Sequence, residues 1–312
     1  MPDWKWDGKP GHYEVYYLTT TDPATGVGLW IRHTMLAPDV GEPTQSAWFM
    51  ATFPDGPPIA RKETGPQVDA ICTPTEMRGS IDDVAWDLHW ERGRSYQHVH
   101  PLIQRLGVAK TILELPNADV AVRGTVTLPG GRTLELDGAH GGQAHLWGSK
   151  HSARWTWAHC GDFTDEHGEP VADTFFDGVS VFVPRFGREV GPSSPVVGRF
   201  GGEDFVATSP RAVLRAPSEF GLTSWTLETT SGKRRITVEV DAPRESLVGV
   251  TYTDPDGEKA YCYNSEVASM RVSVFDRGDG HWDLKQTLIS HGRAHFEYGQ
   301  REPVPGLELH LT

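Results

Sequence analysis

Twenty residues near the middle of the chain, GGQAHLWGSKHSARWTWAHC from Gly141 to Cys160, hold three histidines, three tryptophans, a cysteine and the cations Lys150 and Arg154. Side chains alternate between faces along an extended strand. His145 and Trp147 therefore share one face, and Trp155, Trp157 and His159 share one face of the following strand. GSKHSAR between them reads as a hairpin connection, with Lys150 and His151 at its turn. Turned inward, the two faces line a barrel with indoles and imidazoles. Such a lining sets groups that can give or take a proton beside faces that favour positive charge. An imidazole can act as acid or base, and each desolvated indole face stabilises a cation by roughly 0.5–2 kcal/mol. The same residue types also serve as barrel filling and hydrogen-bonded core.

Two further groups share this character. HYEVYY followed by GLWIRHT sets Glu14 beside Tyr16 and Trp30 beside Arg32, so a carboxylate, a phenol, an indole and a guanidinium could meet across a first hairpin. Glu14 is a candidate acid if burial raises its pKa, although a buried Glu–Arg pair is equally a structural device. In YCYNSEVASMRVSV, Cys262, Asn264 and Glu266 fall on one face, with Tyr261, Tyr263 and Ser265 on the other. Asn and Glu in a strand otherwise suited to burial need partners or water, which suggests a polar-lined cavity. The candidate proton-transfer groups are thus His145, His159, Glu14, Lys150 and His151. The candidate ligand contacts are Tyr16, Trp30, Arg32, Trp147, Trp155, Trp157, Asn264 and Glu266.

No metal or organic cofactor is expected. His98 and His100 form an HxH as in cupin metal sites, but Gln104 stands where that pattern has glutamate. Cys72, Cys160 and Cys262 are far apart and form no CxxC pair, so they read as reduced and structural. Neither a GxSxG elbow, a P-loop nor a dinucleotide fingerprint occurs in a strand–helix context.

The elements that must position these residues are strands. Runs rich in β-branched and aromatic residues recur, each closed by turn chemistry: YEVYYLTT then DPATG, AWFMATF then PDGPP, VAVRGTVTL then PGG, WTLETT then SGK. The chain holds 34 Gly and 23 Pro in 312 residues, a usage suited to many tight turns. The best helical candidate, YQHVHPLIQRLGVAKTILEL, is interrupted by Pro101 and Gly107. The fold class is therefore all-β. A long meander removes its open edges by curling into a barrel, and two such barrels fit the length. The turn-rich, acidic GDFTDEHGEPVADTFFDG is the expected junction, dividing the chain into 1–170 and 171–312. A net charge of −13 argues against nucleic acid as a partner. No apolar run approaches the roughly 20 residues of a membrane span, and the start lacks a signal pattern, so a cytoplasmic monomer or homodimer is expected.

Three stretches, HYEVYYLTTTDPATGVGLWIRHT, DGAHGGQAHLWGSKHSARWTWAHC and CYNSEVASMRVSVF with HFEYGQREP, resemble the lipocalin-like superfamily. That superfamily includes carotenoid hydratases of the hydroxyneurosporene synthase type, tocopherol cyclase and the fungal Diels-Alder cyclases. The resemblance implies two tandem lipocalin-like β-barrels built from antiparallel meanders, with a hydrophobic small molecule held in or between them. It also implies hydration, cyclisation or isomerisation of an isoprenoid, steroid or polyketide-like substrate. By position, His145 and Trp147 match the family's strand before the central turn, and Trp155 and Trp157 match its W-x-W strand. Many relatives carry an acid just after the first tryptophan of that hairpin, where this chain has Gly148, Ser149, Lys150 and His151. A carrier or sensor of a hydrophobic ligand is the alternative, and a purely structural or protein-interaction role is the third reading.

Overall fold

The computed structural model describes residues 4–105, 109–185 and 188–312. Alternating apolar and polar residues closed by turn signals form β1 (His12–Thr21), β2 (Gly28–Ala37), β3 (Thr44–Thr52), β4 (Ile59–Gly65), β5 (Ala70–Cys72), β6 (Glu76–Ile81), β7 (Val84–His89), β8 (Tyr96–Gln97), β9 (Thr111–Leu128) and β10 (Arg132–Gly148). These make one antiparallel sheet in the order β4-β3-β2-β1-β10-β9-β7-β6-β5, with β8 beside β9. The long β9–β10 hairpin turns at Pro129–Gly131, where Gly130 and Gly131 take φ of 76° and 78°, a conformation that glycine adopts without steric cost. The sheet curls until its ends face each other, and Arg61 on β4 binds Asp83 in the β6–β7 turn at 2.9 Å. Leu18, Ile31, Phe49, Trp86, Leu88 and Val126 fill the interior.

The second sheet holds β11 (Arg154–Cys160), β12 (Phe175–Arg185), β13 (Arg188–Ser193), β14 (Val196–Phe200), β15 (Glu203–Ala207), β16 (Ser218–Phe220), β17 (Ser224–Ser231), β18 (Arg234–Asp241), β19 (Val248–Thr253), β20 (Lys259–Arg277), β21 (Trp282–Gln300) and β22 (Leu309–Leu311). Its main path runs β15-β14-β12-β11-β21-β20-β18-β17-β16. It also curls, with Arg234 on β18 reaching Glu203 on β15 at 2.7 Å. Phe163, Phe176, Phe205, Trp225, Val238 and Phe296 pack inside. The architecture is the all-β, twice-curled antiparallel one expected. Only short helices accompany it, among them Pro101–Arg105 and Pro210–Arg215, and no helix of the described residues is long and apolar enough to cross a membrane. Gly107, expected to interrupt the first of these, lies outside the described residues.

The chain passes from one sheet to the other between Gly148 and Arg154, earlier than the junction expected at residue 170. The two curled sheets touch along a seam of two apolar clusters. One packs Trp30, Trp48 and Met50 of the first sheet on Trp155, Val250, Tyr252 and Cys262 of the second. The other packs Leu113, Leu115 and Ala144 on Phe175 and Val197.

The strand β20 is built to serve both compartments. Its pairing with β21 slips between Ser265 and Ala268 and again between Ala268 and Met270, the signature of a bulge. Before the slip, even-numbered Cys262 belongs to the seam and odd-numbered Tyr263 to the barrel interior. After it, even-numbered Ala268, Met270 and Val272 point into the barrel. Glu266 sits at the crossover.

Candidate functional site

The second sheet presents a polar row to the seam. On adjacent strands, Asp177 of β12 opposes His159 of β11, and His159 opposes His295 of β21. One step along, Trp157 opposes Glu297, which opposes Asn264. The neighbours of these residues, Phe176, Ala158 and Phe296, point the other way into the barrel core, so strand parity alone brings the polar groups together.

Asp177 is 1% exposed and has three side-chain nitrogens around it. His98 Nε2 lies 2.9 Å from Oδ1, His159 Nδ1 lies 3.1 Å from Oδ2, and the Trp157 indole N–H donates at 3.2 Å. Burial pushes this carboxyl up, but the contacts with His159 and His98 prevail and hold it below its ordinary value. Beside it the His159 and His295 rings stack with centroids 6.2 Å apart. His295 Nδ1 in turn meets Glu266 Oε2 at 2.5 Å. Here burial dominates. With help from the nearby Glu297 charge it pushes Glu266 well above the usual carboxylate range, and burial beside His159 pushes His295 well below the usual imidazole range. Burial thus favours the uncharged form of both partners in this couple. Glu297, half-buried, accepts the Trp155 indole N–H at 2.5 Å.

The first sheet roofs this row. Tyr17 meets Trp157 edge-on at 5.5 Å, and the His159 Nε2 atom rests against Gly142, where a Cβ would stand 2.6 Å from it. His159 Nε2, both ring nitrogens of His98 and Asn264 Nδ2 are buried with no hydrogen-bond partner among the described residues, so donors and acceptors remain for a guest. No cluster of three His, Cys, Asp or Glu side chains suited to a metal occurs among the described residues, and His98 of the HxH turns onto Asp177.

The sequence-predicted residues divide among three places. His159, Trp155, Trp157, Asn264 and Glu266 belong to the seam, on the outer wall of the second barrel rather than inside a barrel as expected. Trp30 and Arg32 also face the seam, where the guanidinium lies 4.1 Å over the Tyr252 ring. Glu14 and Tyr16 do not meet them, because β1 and β2 pair Tyr17 with Arg32 and leave Glu14 and Tyr16 on the opposite face. They join His145 and Trp147 inside the first barrel. There His145 Nε2 lies 2.7 Å and His12 Nε2 3.0 Å from Glu14, and Tyr16 stacks on His145 at 4.0 Å. Burial pushes Glu14 up, but hydrogen bonds from His12, His145 and the Lys5 amide outweigh it and hold the carboxyl at about 2. It is ionised wherever a proton donor is required.

The expected central hairpin does not form, because β10 and β11 lie in different sheets. Lys150 and His151 instead fasten the link between them. Lys150 binds Asp256 at 2.7 Å and Glu258 at 2.9 Å. His151 lies between Tyr13 and Tyr252, with Nδ1 2.6 Å from Asp254, which also holds Arg301 at 2.7 Å. Asp177, His295 and Glu297 were not singled out in the sequence, and His98 only as a metal ligand. The alternation of His295 and Glu297 with Phe296 and Tyr298 was a signal of the same kind as the one at Asn264 and Glu266.

No family model matches the chain. Two relatives from Mycobacterium tuberculosis, Uncharacterized protein MT0513 (strain CDC 1551 / Oshkosh) and Uncharacterized protein Rv0493c (strain H37Rv), are each 31% identical over 314 residues, covering 95% of this chain and 89% of theirs. Among solved structures, the fold is similar to that of the ATTH-like protein NE1406 of Nitrosomonas europaea, with TM-score 0.53, 11% identity and 93% of each chain covered. It is similar also to CghA in complex with Sch210972, with TM-score 0.58, 9% identity, and 93% of this chain and 88% of that one covered. Kievitone hydratase from Nectria haematococca gives TM-score 0.52 and 11% identity, with 94% and 89% covered. At 31% identity over nearly its whole length, the chain belongs to the family of the two mycobacterial proteins, on the lipocalin-like fold that its sequence resembles.

Proposed function

We propose that the protein is an enzyme that hydrates, cyclises or isomerises a hydrophobic isoprenoid, steroid or polyketide-like molecule at the seam between its barrels, without an organic cofactor. The observation that carries this reading is the pair of buried carboxyl–imidazole couples in one row, with burial pushing Glu266 up and the His159 and His98 contacts holding Asp177 down. Carboxyl groups driven apart in this way divide the roles of acid and base. The fold shared with kievitone hydratase is compatible with it.

In a hydration, the Glu266 proton passes to an alkene carbon while Trp155 and Trp157 offer indole faces to the developing cation. Water then bonds to the cationic carbon. Its proton goes to His159, whose other nitrogen is oriented and whose charge is balanced by Asp177. His295, stacked on His159 and bonded to Glu266, lies on the path by which the acid regains its proton. Where the cation loses a proton instead, the same groups yield isomerisation.

The test is turnover of a panel of terpenoid, steroid and polyketide-like alkenes, with deuterium incorporation from D2O as a second readout. Asp177→Asn and Glu266→Gln are each expected to lower kcat by about 10²–10⁴. Full activity in both variants would overturn the reading. Binding with no turnover of any alkene would instead assign a carrier.

A further inference from the structure

A cleft of about 380 Å³ opens where the two barrels meet, lined by Arg92, Gly93, Arg94 and Asp119 of the first and Asp173, Thr174, Phe175 and Arg199 of the second. Phe175 is two residues before Asp177 on β12 and shares its face, and the Tyr96 ring packs on Phe175 at 5.2 Å. Two residues beyond Tyr96, His98 reaches Asp177. The Tyr96–Phe175 contact thus lies two residues along each strand from the His98–Asp177 contact.

The charges around this cleft are unevenly satisfied. Arg199 is held by Asp173 at 2.7 Å and Asp204 at 2.5 Å, and Asp119 is taken by His140 at 2.9 Å. Arg92 and Arg94 are exposed and have no ion-pair partner among the described residues. Their loop is nonetheless fixed. The Gly93 amide donates to Asn117 at 2.7 Å, and the Arg94 carbonyl accepts from the Ala118 amide at 2.9 Å. In a chain of net charge −13, two guanidinium groups outside any close ion pair, on a pinned loop at the mouth of an apolar seam, form a local exception. Arginine forks suit carboxylate and phosphate oxygens, which they bind by two parallel hydrogen bonds.

We infer that the substrate is an amphiphile with a terminal oxyanion, a carboxylate or a phosphate, bound by Arg92 and Arg94 at the mouth while its apolar body enters past Tyr96 and Phe175 toward the row. This rests on the proposed function, whose substrate it narrows from hydrophobic to anionic-headed. The head group would set the reacting carbons at a fixed depth, which is a positioning role for the arginines.

Titration calorimetry with dodecanoate, dodecyl phosphate and dodecanol separates the possibilities. The two anions should bind roughly ten-fold or more tightly than the alcohol, as expected for a charge-assisted bidentate contact, and their order tells carboxylate from phosphate. Arg92→Ala with Arg94→Ala should erase that gap and leave dodecanol binding unchanged, while Arg92→Lys with Arg94→Lys keeps part of it. Near-UV circular dichroism checks that the variants keep the native packing. Equal binding of all three ligands by the native protein, or a gap that survives the double alanine variant, overturns the inference while apolar binding still stands. Failure of every ligand to bind overturns the inference and the reading beneath it.

Discussion

Asp177 and Glu266 lie in the same buried row, and their surroundings drive them in opposite directions. Asp177 has two imidazoles and an indole N–H around it, whereas Glu266 has His295 as its one side-chain hydrogen-bonding neighbour among the described residues, with the Glu297 charge nearby. The difference has a consequence for stability. Glu266 is raised above its ordinary 4.5 in the fold, so the unfolded chain releases a proton there that the folded chain keeps. Stability is thus lost as pH climbs above 4.5, until the folded carboxyl itself ionises. Glutamine mimics the protonated acid and does not titrate. Glu266→Gln should therefore melt close to the native protein near pH 4 and at higher temperature than it at about pH 8. A difference in Tm that does not grow with pH would contradict the assignment. At this scale the sequence exposed Asn264, Glu266 and His159 because polar residues interrupt strands otherwise suited to burial. Asp177 escaped notice because FFDG follows a turn-rich acidic interval, and nothing local distinguishes a surface aspartate there from one buried under two imidazoles.

At the scale of elements, the link between the sheets is an ordered latch. Asp254 is fully buried as a side chain and receives both His151 and Arg301, and Arg301 also donates to the His151 carbonyl. Burial pushes Asp254 up, but His151 and then Arg301 prevail and hold it at about 2. Its contribution is complete above the ordinary carboxylate value of 3.8 and is lost as pH falls toward 2. Asp254→Ala strands a buried imidazole and guanidinium, and a loss of roughly 3–5 kcal/mol in urea unfolding at neutral pH is expected, shrinking in acid. The strands themselves were legible from alternation and turn residues. Their partners were not. A hairpin loop and a link between barrels call for the same Gly, Ser and Lys composition, and only long-range pairing, which leaves no local trace, decides that GSKHSAR is the second.

At the scale of the whole molecule, the seam makes the two barrels one cooperative body. Trp30, Trp48 and Tyr252 pack across it, and Gly28 brings β2 so close to β20 that a Cβ there would lie 2.1 Å from the Glu266 carbonyl oxygen. The native protein should unfold in a single step, with tryptophan fluorescence and far-UV circular dichroism coincident. Gly28→Ala should prise the barrels apart at a cost of roughly 1–3 kcal/mol, lower Tm and separate the two signals. Coincident, unshifted curves would show that the close approach is dispensable. All-β class and two curled meanders could be read from the sequence. That the buried polar row faces the seam and not a barrel interior could not, because a residue buried at a seam and one buried in a core have the same hydrophobic pattern.

The bulge in β20 bears on how such a site is inherited. Side chains along the seam can be exchanged one at a time, each change altering one point of the polar row while the others stay in place. The number of residues between Ser265 and Ala268 has no such freedom. Loss or gain of a single codon there would turn one end of the strand over, send Glu266 among the phenylalanines of the second barrel and bring Tyr263 to the seam. In this segment, chain length is under tighter constraint than residue identity, so lineages diverging in substrate should vary the letters of β20 and keep their count.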